Sequence, residues 1–452
     1  MNKAIPNDPN LIYQEGMVAV EATNAVKLES SIEALKKYPE FAGQRKLLEG
    51  MLILGKSKPL LAIPMFQEAA KEPKIRIKAL TMLGNAYMRS SQSAKSVASF
   101  ETALQEDPDT DEARLTLTFV LKDMISWDEA QKHLAVLMER KYKPDVVHQM
   151  LGDIYAELDR PADAANEYEA ALKADPNNPS NSLRASRLVK CRLQTGDLSG
   201  LDEFLPGVDS AGVRESANAM LLMEKDEAQK ALSGLEHALH ESPVDATANL
   251  AYAKVIEKIG TREKAIEALV SLQRPLSIQT RNASLLEVVA RLATIAGDEK
   301  MAVAAQQNVE QLRDLESQFA EKLNEVIKTR DGADARMELG DLALAIGRYE
   351  FAGSIYHSVS FIDQSKESVY GEKLRAHMDL QPMLVPIGID DAKDPAEVTA
   401  DPVEPAPAPV PEPAPGSAPP ESEKGSTPEP DATPSPDASS GDEPKKPDAK
   451  AE

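Results

Sequence analysis

Residues 145–178, DVVHQMLGDIYAELDRPADAANEYEAALKADPNN, are the stretch on which the fold is read. At helical spacing, Leu151, Gly152 and Tyr155 share one face of a first helix, and Ala164, Tyr168 and Ala171 share one face of a second. Arg160-Pro161 separates the two, because proline lacks an N–H and suits a helix start rather than an interior. Asp175-Pro176-Asn177-Asn178 ends the second helix. Two short amphipathic helices joined by a tight turn cannot bury their apolar faces alone, so the unit implies neighbours.

Those neighbours stand in register at a period of 34 residues, with Gly84 and Gly50 preceding Gly152 at multiples of that step. At the phase of Ala164 stand Ala130, Ser96 and Ala62, all small. Leu134, Phe100 and Phe66 hold the phase of Tyr168, and Leu137, Ala103 and Ala69 that of Ala171. Small residues at helix crossings and bulky ones that interlock are what close helix packing needs. The pattern resembles the tetratricopeptide repeat family, whose unit carries Leu-Gly, Tyr, Ala, aromatic, Ala and Pro at these places. The resemblance is strong over 145–178 and 77–110 and weaker over 111–144, where Thr118 replaces the glycine and Leu121 the tyrosine. It implies an all-α fold, an α-solenoid or superhelix of roughly ten helix-turn-helix units, to which the composition of the last residues adds a disordered C-terminal tail.

In that frame residues 1–8 are a short N-terminal segment, and 9–279 are an array of about eight units in which 179–211 is irregular through Gly196, Pro206 and Gly207. Residues 280–380 form a C-terminal helical region. Within it, 298–330 has neither proline nor glycine, and Val309, Leu312, Leu315, Phe319, Leu323 and Val326 recur at steps of three and four. This predicts one long helix packed on its predecessor, or else a coiled-coil seam through which two copies pair. A further unit at 333–366 carries Leu339, Gly340, Ala343, Ala352 and Tyr356, and the polar stretch 367–380 closes the array. Residues 381–452 are rich in proline, alanine and glutamate. From Asp391 onward, 15 acidic residues face 5 lysines. With so little to bury, this tail is expected to be a disordered acidic spacer; its P-x-x-P registers lack a flanking arginine.

A net charge of −23 repels phosphate backbones and acidic leaflets, which argues against nucleic acid as a partner. Cys191 is the sole cysteine, so the chain forms no internal disulfide and no cysteine-based metal cluster. No run of 18 apolar residues exists, so no transmembrane segment is expected. The start, MNKAIPNDPN, has neither an apolar core nor a cationic lead. The expectation is a cytoplasmic protein; a natural start further upstream with a targeting segment would make it periplasmic or envelope-associated.

Residues 50–57, GMLILGKS, satisfy G-x-x-x-x-G-K-[ST], the loop whose amides wrap phosphates between a strand and a helix. Here the intervening residues are an apolar helical face, Gly50 is the repeat glycine, and Pro59 and Pro64 follow where the loop's helix should run. His237 and His240 are three apart with no third ligand in view, and read as helix-surface histidines. No serine–histidine or cysteine–histidine arrangement has a supporting context. Neither catalysis, a cofactor nor a metal is expected.

What remains is the groove. The resemblance implies that first helices line a concave face, with unit positions 2, 5, 9, 12 and 13 pointing into it. Carried over, those include Leu47, Met51 and Leu54; Lys78, Thr81, Asn85, Met88 and Arg89; Leu115, Phe119, Lys122 and Asp123; and Val146, Gln149, Asp153 and Glu157. Apolar anchors among polar donors suit a peptide or helix laid along the groove. The cationic clamp by which some family members grip acidic chaperone tails is absent, since only Asn85 of Thr81, Asn85, Thr116, Val146 and Met150 fits it. The expected function is a non-catalytic scaffold or adaptor for protein partners. The alternatives are a cell-envelope assembly or secretion-associated factor, and a nucleotide-binding protein using 50–57.

Overall fold

A computed structural model of the protein describes residues 8–278, 281–330, 332–360, 362 and 372–373. Backbone proximity divides the chain into Met1–Ala392 and Lys393–Glu452, and every described residue belongs to the first. The expected acidic tail, 381–452, lies outside the described residues, as does most of 367–380.

Among the described residues stand nineteen α-helices and no strand. In chain order they are α1 (Pro9–Glu21), α2 (Ala25–Leu35), α3 (Ala42–Gly55), α4 (Pro59–Ala69), α5 (Arg76–Arg89), α6 (Ser93–Glu106), α7 (Asp111–Asp123), α8 (Trp127–Glu139), α9 (Pro144–Glu157) and α10 (Pro161–Ala174). Then come α11 (Asn181–Thr195), α12 (Ala211–Glu224), α13 (Ala228–Glu241), α14 (Ala246–Ile259), α15 (Arg262–Ile278), α16 (Ala283–Ala296), α17 (Glu299–Val326), α18 (Ala333–Ala345) and α19 (Tyr349–Ser360). Consecutive helices pack as hairpins, from α1 with α2 through α18 with α19. The fold is an all-α solenoid. At α11 the second helix is missing, and two 3-10 turns, Leu201–Glu203 and Leu205–Gly207, stand in its place.

The 34-residue period is written into the backbone itself. Thr23, Ser57, Ser91, Ile125 and Asp159 stand one period apart, and all hold φ between 51° and 57°. Each ends a first helix in a left-handed residue, after which an amide reaches back five residues: Asn24 N–H to Ala19 O, Lys58 to Ile53, Gln92 to Tyr87, Ser126 to Leu121, Arg160 to Tyr155. That bond satisfies carbonyls a helix end otherwise leaves open. Second helices end differently. Asp107 and Asp175 are extended, as a residue before proline prefers, and Pro108 and Pro176 follow.

The repeat glycines have a packing reason. A Cβ on Gly84 would lie 2.7 Å from the Phe100 ring, on Gly152 2.8 Å from Tyr168, and on Gly340 2.6 Å from Tyr356. The second-helix ring lies flat on the first-helix backbone, and only glycine admits it. Thr118 breaks the glycine rule where Leu134 breaks the aromatic rule, so the exceptions compensate; both are fully buried. Ser96 adds a bond at the crossing, its Oγ donating to Gly84 O at 2.8 Å.

The long helix α17 divides its apolar stripe between two cores. Val309 and Leu312 pack with α16, while Phe319, Leu323 and Val326 join a core shared with α18, α19 and the early repeats. The stripe is thus covered within the chain. This corrects the reading of 298–330 as a seam between copies: its heptad-like residues are 0–4 % exposed at Val309, Leu312, Phe319, Leu323 and Val326.

The consequence is a closure between distant parts of the sequence. The Asp128 amide at the start of α8 donates to Ile327 O at the end of α17, at 3.3 Å. A helix N-terminus thus meets a C-terminus with opposite partial charges. Arg330 donates from Nε to Glu129 at 2.6 Å and from Nη2 to Glu101 at 2.5 Å. Arg336, fully buried, donates to Met124 O at 3.0 Å and to Thr329 O at 2.8 Å. Trp127 and Phe351 face each other with ring centroids 5.9 Å apart, and Phe319 meets Phe351 edge-on at 5.7 Å.

Candidate interaction groove

The structure sorts the expected concave residues by unit position. At position 5, Leu47, Thr81 and Leu115 are buried between neighbouring first helices, and Thr81 donates to Ile77 O. Met51 is also buried, with Leu54 beside it. Position 9 opens progressively: Asn85 is half-buried, and Phe119 is 40 % exposed. Lys78 reaches Glu112 at 2.7 Å, one period on, and Arg89 donates to Leu54 O at 3.1 Å. Val146 is half-buried, and Gln149 accepts from Arg184 at 2.8 Å. Much of the face is therefore a ladder that ties each first helix to the next.

The ladder opens into a groove of roughly 370 Å³ beside α7, α9 and α11. Its floor carries Lys122, Asp153 and Arg187, with Glu157 and Lys190 farther along. Asp153 accepts from the Tyr168 hydroxyl at 3.0 Å and from Arg187, and Lys122 stands 3.7 Å away. Phe351 and Ser354 of α19 form one wall. From that side Arg348 reaches Glu157 at 3.2 Å, while its guanidinium stacks 5.0 Å from the Phe319 ring and 5.1 Å from that of Phe351. Burial raises the Glu157 and Asp123 carboxyls above their usual range. Burial also pushes the Cys191 thiol up to about 11, so it stays protonated and unreactive at neutral pH.

Arg187, Lys190 and Cys191 escaped the sequence reading because 179–211 looked irregular. One period added to Asp153, Ala156 and Glu157 lands on them, so the signal was present. The phosphate-loop match has no such geometry. Residues 50–55 are the last turns of α3, the Lys56 and Ser57 amides donate to Leu52 O and Leu54 O, and Lys56 Nζ pairs with Glu29 at 2.8 Å. Those amides are consumed, and a helix C-terminus repels anions. His237 stands on the surface of α13 beside Glu241.

One titratable group sits beside the closure. His133 faces Arg114 at 3.3 Å, with Glu129, Arg330 and Glu101 around it, and burial followed by the Arg114 charge lowers its pKa below 6.5. The folded chain thus binds this proton less readily than the unfolded chain. Its contribution to stability is present above pH 6.5 and is lost as pH falls through the lowered folded value. We expect the stability of the wild type minus that of His133→Gln to decline on going from pH 7 to pH 5.5 in urea titrations; a constant difference contradicts it.

Residues 66–195 match the model of the tetratricopeptide repeat-like domain. No curated protein matches the chain. Among solved structures, the type IV pilus biogenesis factor PilW is similar at 19% identity over 52% of this chain and 92% of that one, with a TM-score of 0.29. The Cut9–Hcn1 hetero-tetramer of the APC/C follows at 11% identity, covering 83% and 91%, TM-score 0.30. Pseudomonas aeruginosa pilF has 13% identity, covering 54% and 95%, TM-score 0.28. Residues 66–195 thus form a tetratricopeptide repeat-like domain, and helical hairpins continue on either side of it.

Proposed function

We propose that the protein is a non-catalytic adaptor that holds a protein partner in the groove of α7, α9 and α11. The observation that supports this most is the groove's lining. Three first helices in succession present Lys122, Asp153, Arg187, Glu157 and Lys190 around one cavity, with the Phe119 ring exposed on the same face of α7. Mixed charges flanking an apolar anchor recognise a polypeptide segment rather than a small apolar ligand. Among the described residues no helix is long and apolar enough to cross a membrane. The lone reduced cysteine fits a reducing compartment, so partners are to be sought first in the cytoplasm.

The test is affinity capture with the full chain and with a Phe119→Asp, Lys190→Glu double variant. Both side chains are exposed, so circular dichroism should be unchanged. We expect proteins captured by the wild type to fall about tenfold with the variant, a loss of about 1.4 kcal/mol, and to bind directly once purified. Equal capture by both chains contradicts the groove as the binding surface.

A further inference from the structure

The closure of α17–α19 on α6–α9 is built unlike the rest of the solenoid. Within the array, neighbouring helices approach backbone to backbone. Across the closure the bonds come mostly from long side chains: Arg330 to Glu101 and Glu129, Arg336 to Met124 O, Arg348 to Glu157, and the Trp127–Phe351 ring pair. Its turn is also strained. Ile125, buried there, holds φ at 57°, a region that branched side chains avoid at a cost of about 1–2 kcal/mol.

We infer that α17–α19 is a releasable clasp and that α19 is an internal ligand holding part of the groove. The partner that displaces it is a helix with an arginine just before its first residue and a phenylalanine at its third, as Arg348 and Phe351 are. The chemistry follows from what those two residues meet. Glu157 is half-desolvated and binds a guanidinium, while Ile125 and Trp127 form the apolar seat for a ring. Arginine serves here better than lysine, because its planar face stacks on the rings while its edge bonds the carboxylate. Within the hairpin the Tyr356 ring lies on Gly340 and its hydroxyl donates to Asp341 at 2.5 Å, which ties α18 to α19, while Leu339, Ala343, Ala352 and Ile355 belong to the core that continues into the early repeats. A partner shifts the clasp only by binding the open form better than the closed one, and α19 supplies that difference by competing. This inference rests on the groove being the binding surface.

Trp127 is the only tryptophan of the chain and is 3 % exposed, so it reports the clasp directly. Acrylamide quenching of its emission is measured on the full chain, on Arg330→Glu, which turns the charge against Glu101 and Glu129, and on Phe351→Ala. Far-UV circular dichroism follows the helices, and a fluorescent peptide of residues 346–360, with an Arg348→Glu control peptide, probes the vacated groove. We expect quenching in both variants to rise about threefold with helicity kept. The peptide should bind the opened chains about tenfold tighter than the wild type, since apparent affinity scales with the open fraction, and the control peptide should not bind. Trp127 remaining shielded in both variants, or exposed only as helicity collapses, overturns the clasp alone and leaves the groove to the capture experiment. Opening without peptide uptake overturns α19 as an internal ligand, and the groove again stands or falls on the capture experiment.

Discussion

Gly84→Thr lowers the stability of the chain by about 3 kcal/mol, and adding Phe100→Leu restores at least half of that loss. The Phe100 ring lies 2.7 Å from where a Cβ on Gly84 would stand, and Phe100 is fully buried, so neither partner can yield. Shortening the ring to leucine opens the space that the new methyl and hydroxyl fill. The chain already contains this solution at the next repeat, as Thr118 over Leu134, where the threonine hydroxyl donates to Arg114 O at 2.8 Å. Phe100→Leu alone should cost about 1–2 kcal/mol through the cavity it leaves. Urea titrations of the four chains, followed by circular dichroism, give the coupling. Additive losses would mean that ring and glycine do not touch.

Arg336→Met costs about 3 kcal/mol despite keeping the side chain's length. The guanidinium is fully buried and joins the last carbonyls of two helices, Met124 O of α7 and Thr329 O just beyond α17. Methionine takes the donor from Met124 O and leaves Thr329 O with the Ser126 hydroxyl at 3.4 Å, and an unpaired buried carbonyl costs about 1–3 kcal/mol. Arg336→Lys should recover only part of this, since both bonds come from Nη2 and the lysine ammonium ends about one bond short of that position. Hydrogen exchange locates the effect: amides of 124–130 should lose protection, while those of α1–α4 should not. Uniform loss along the chain, or none, contradicts the bridging role.

The solenoid was legible because its information is local and repeated. Thirty-four residues hold two amphipathic helices, a left-handed turn and a glycine under a ring, and several copies must agree. The turn residues Thr23, Ser57, Ser91, Ile125 and Asp159 show how little residue type matters once the helices on either side demand the geometry. Ile125 would not be chosen for that conformation on propensity.

The closure was illegible for the opposite reason. Arg330, Arg336 and Arg348 find partners about 190–230 residues away, and in the sequence they look like ordinary solvated charges on helix faces. The stripe on α17 was visible, but what covers it was not, since a heptad-like pattern specifies an apolar neighbour and not which one. The groove was legible in part. Position 5 is wedged between adjacent first helices, which hides Leu47, Thr81 and Leu115, whereas position 9 faces outward at Phe119 and Asp153. Reading all five positions as groove-lining treated a packing face and an open face as one.

A crystal structure of the full chain tests the central claim most directly: stacked hairpins whose last members return to the middle of the array. It should show the Arg336 guanidinium within hydrogen-bond distance of the Met124 carbonyl, Phe351 against Trp127, and helices alone from 8 to 360. A strand in that span, or α18–α19 seated away from the turn at Ile125, would contradict the account.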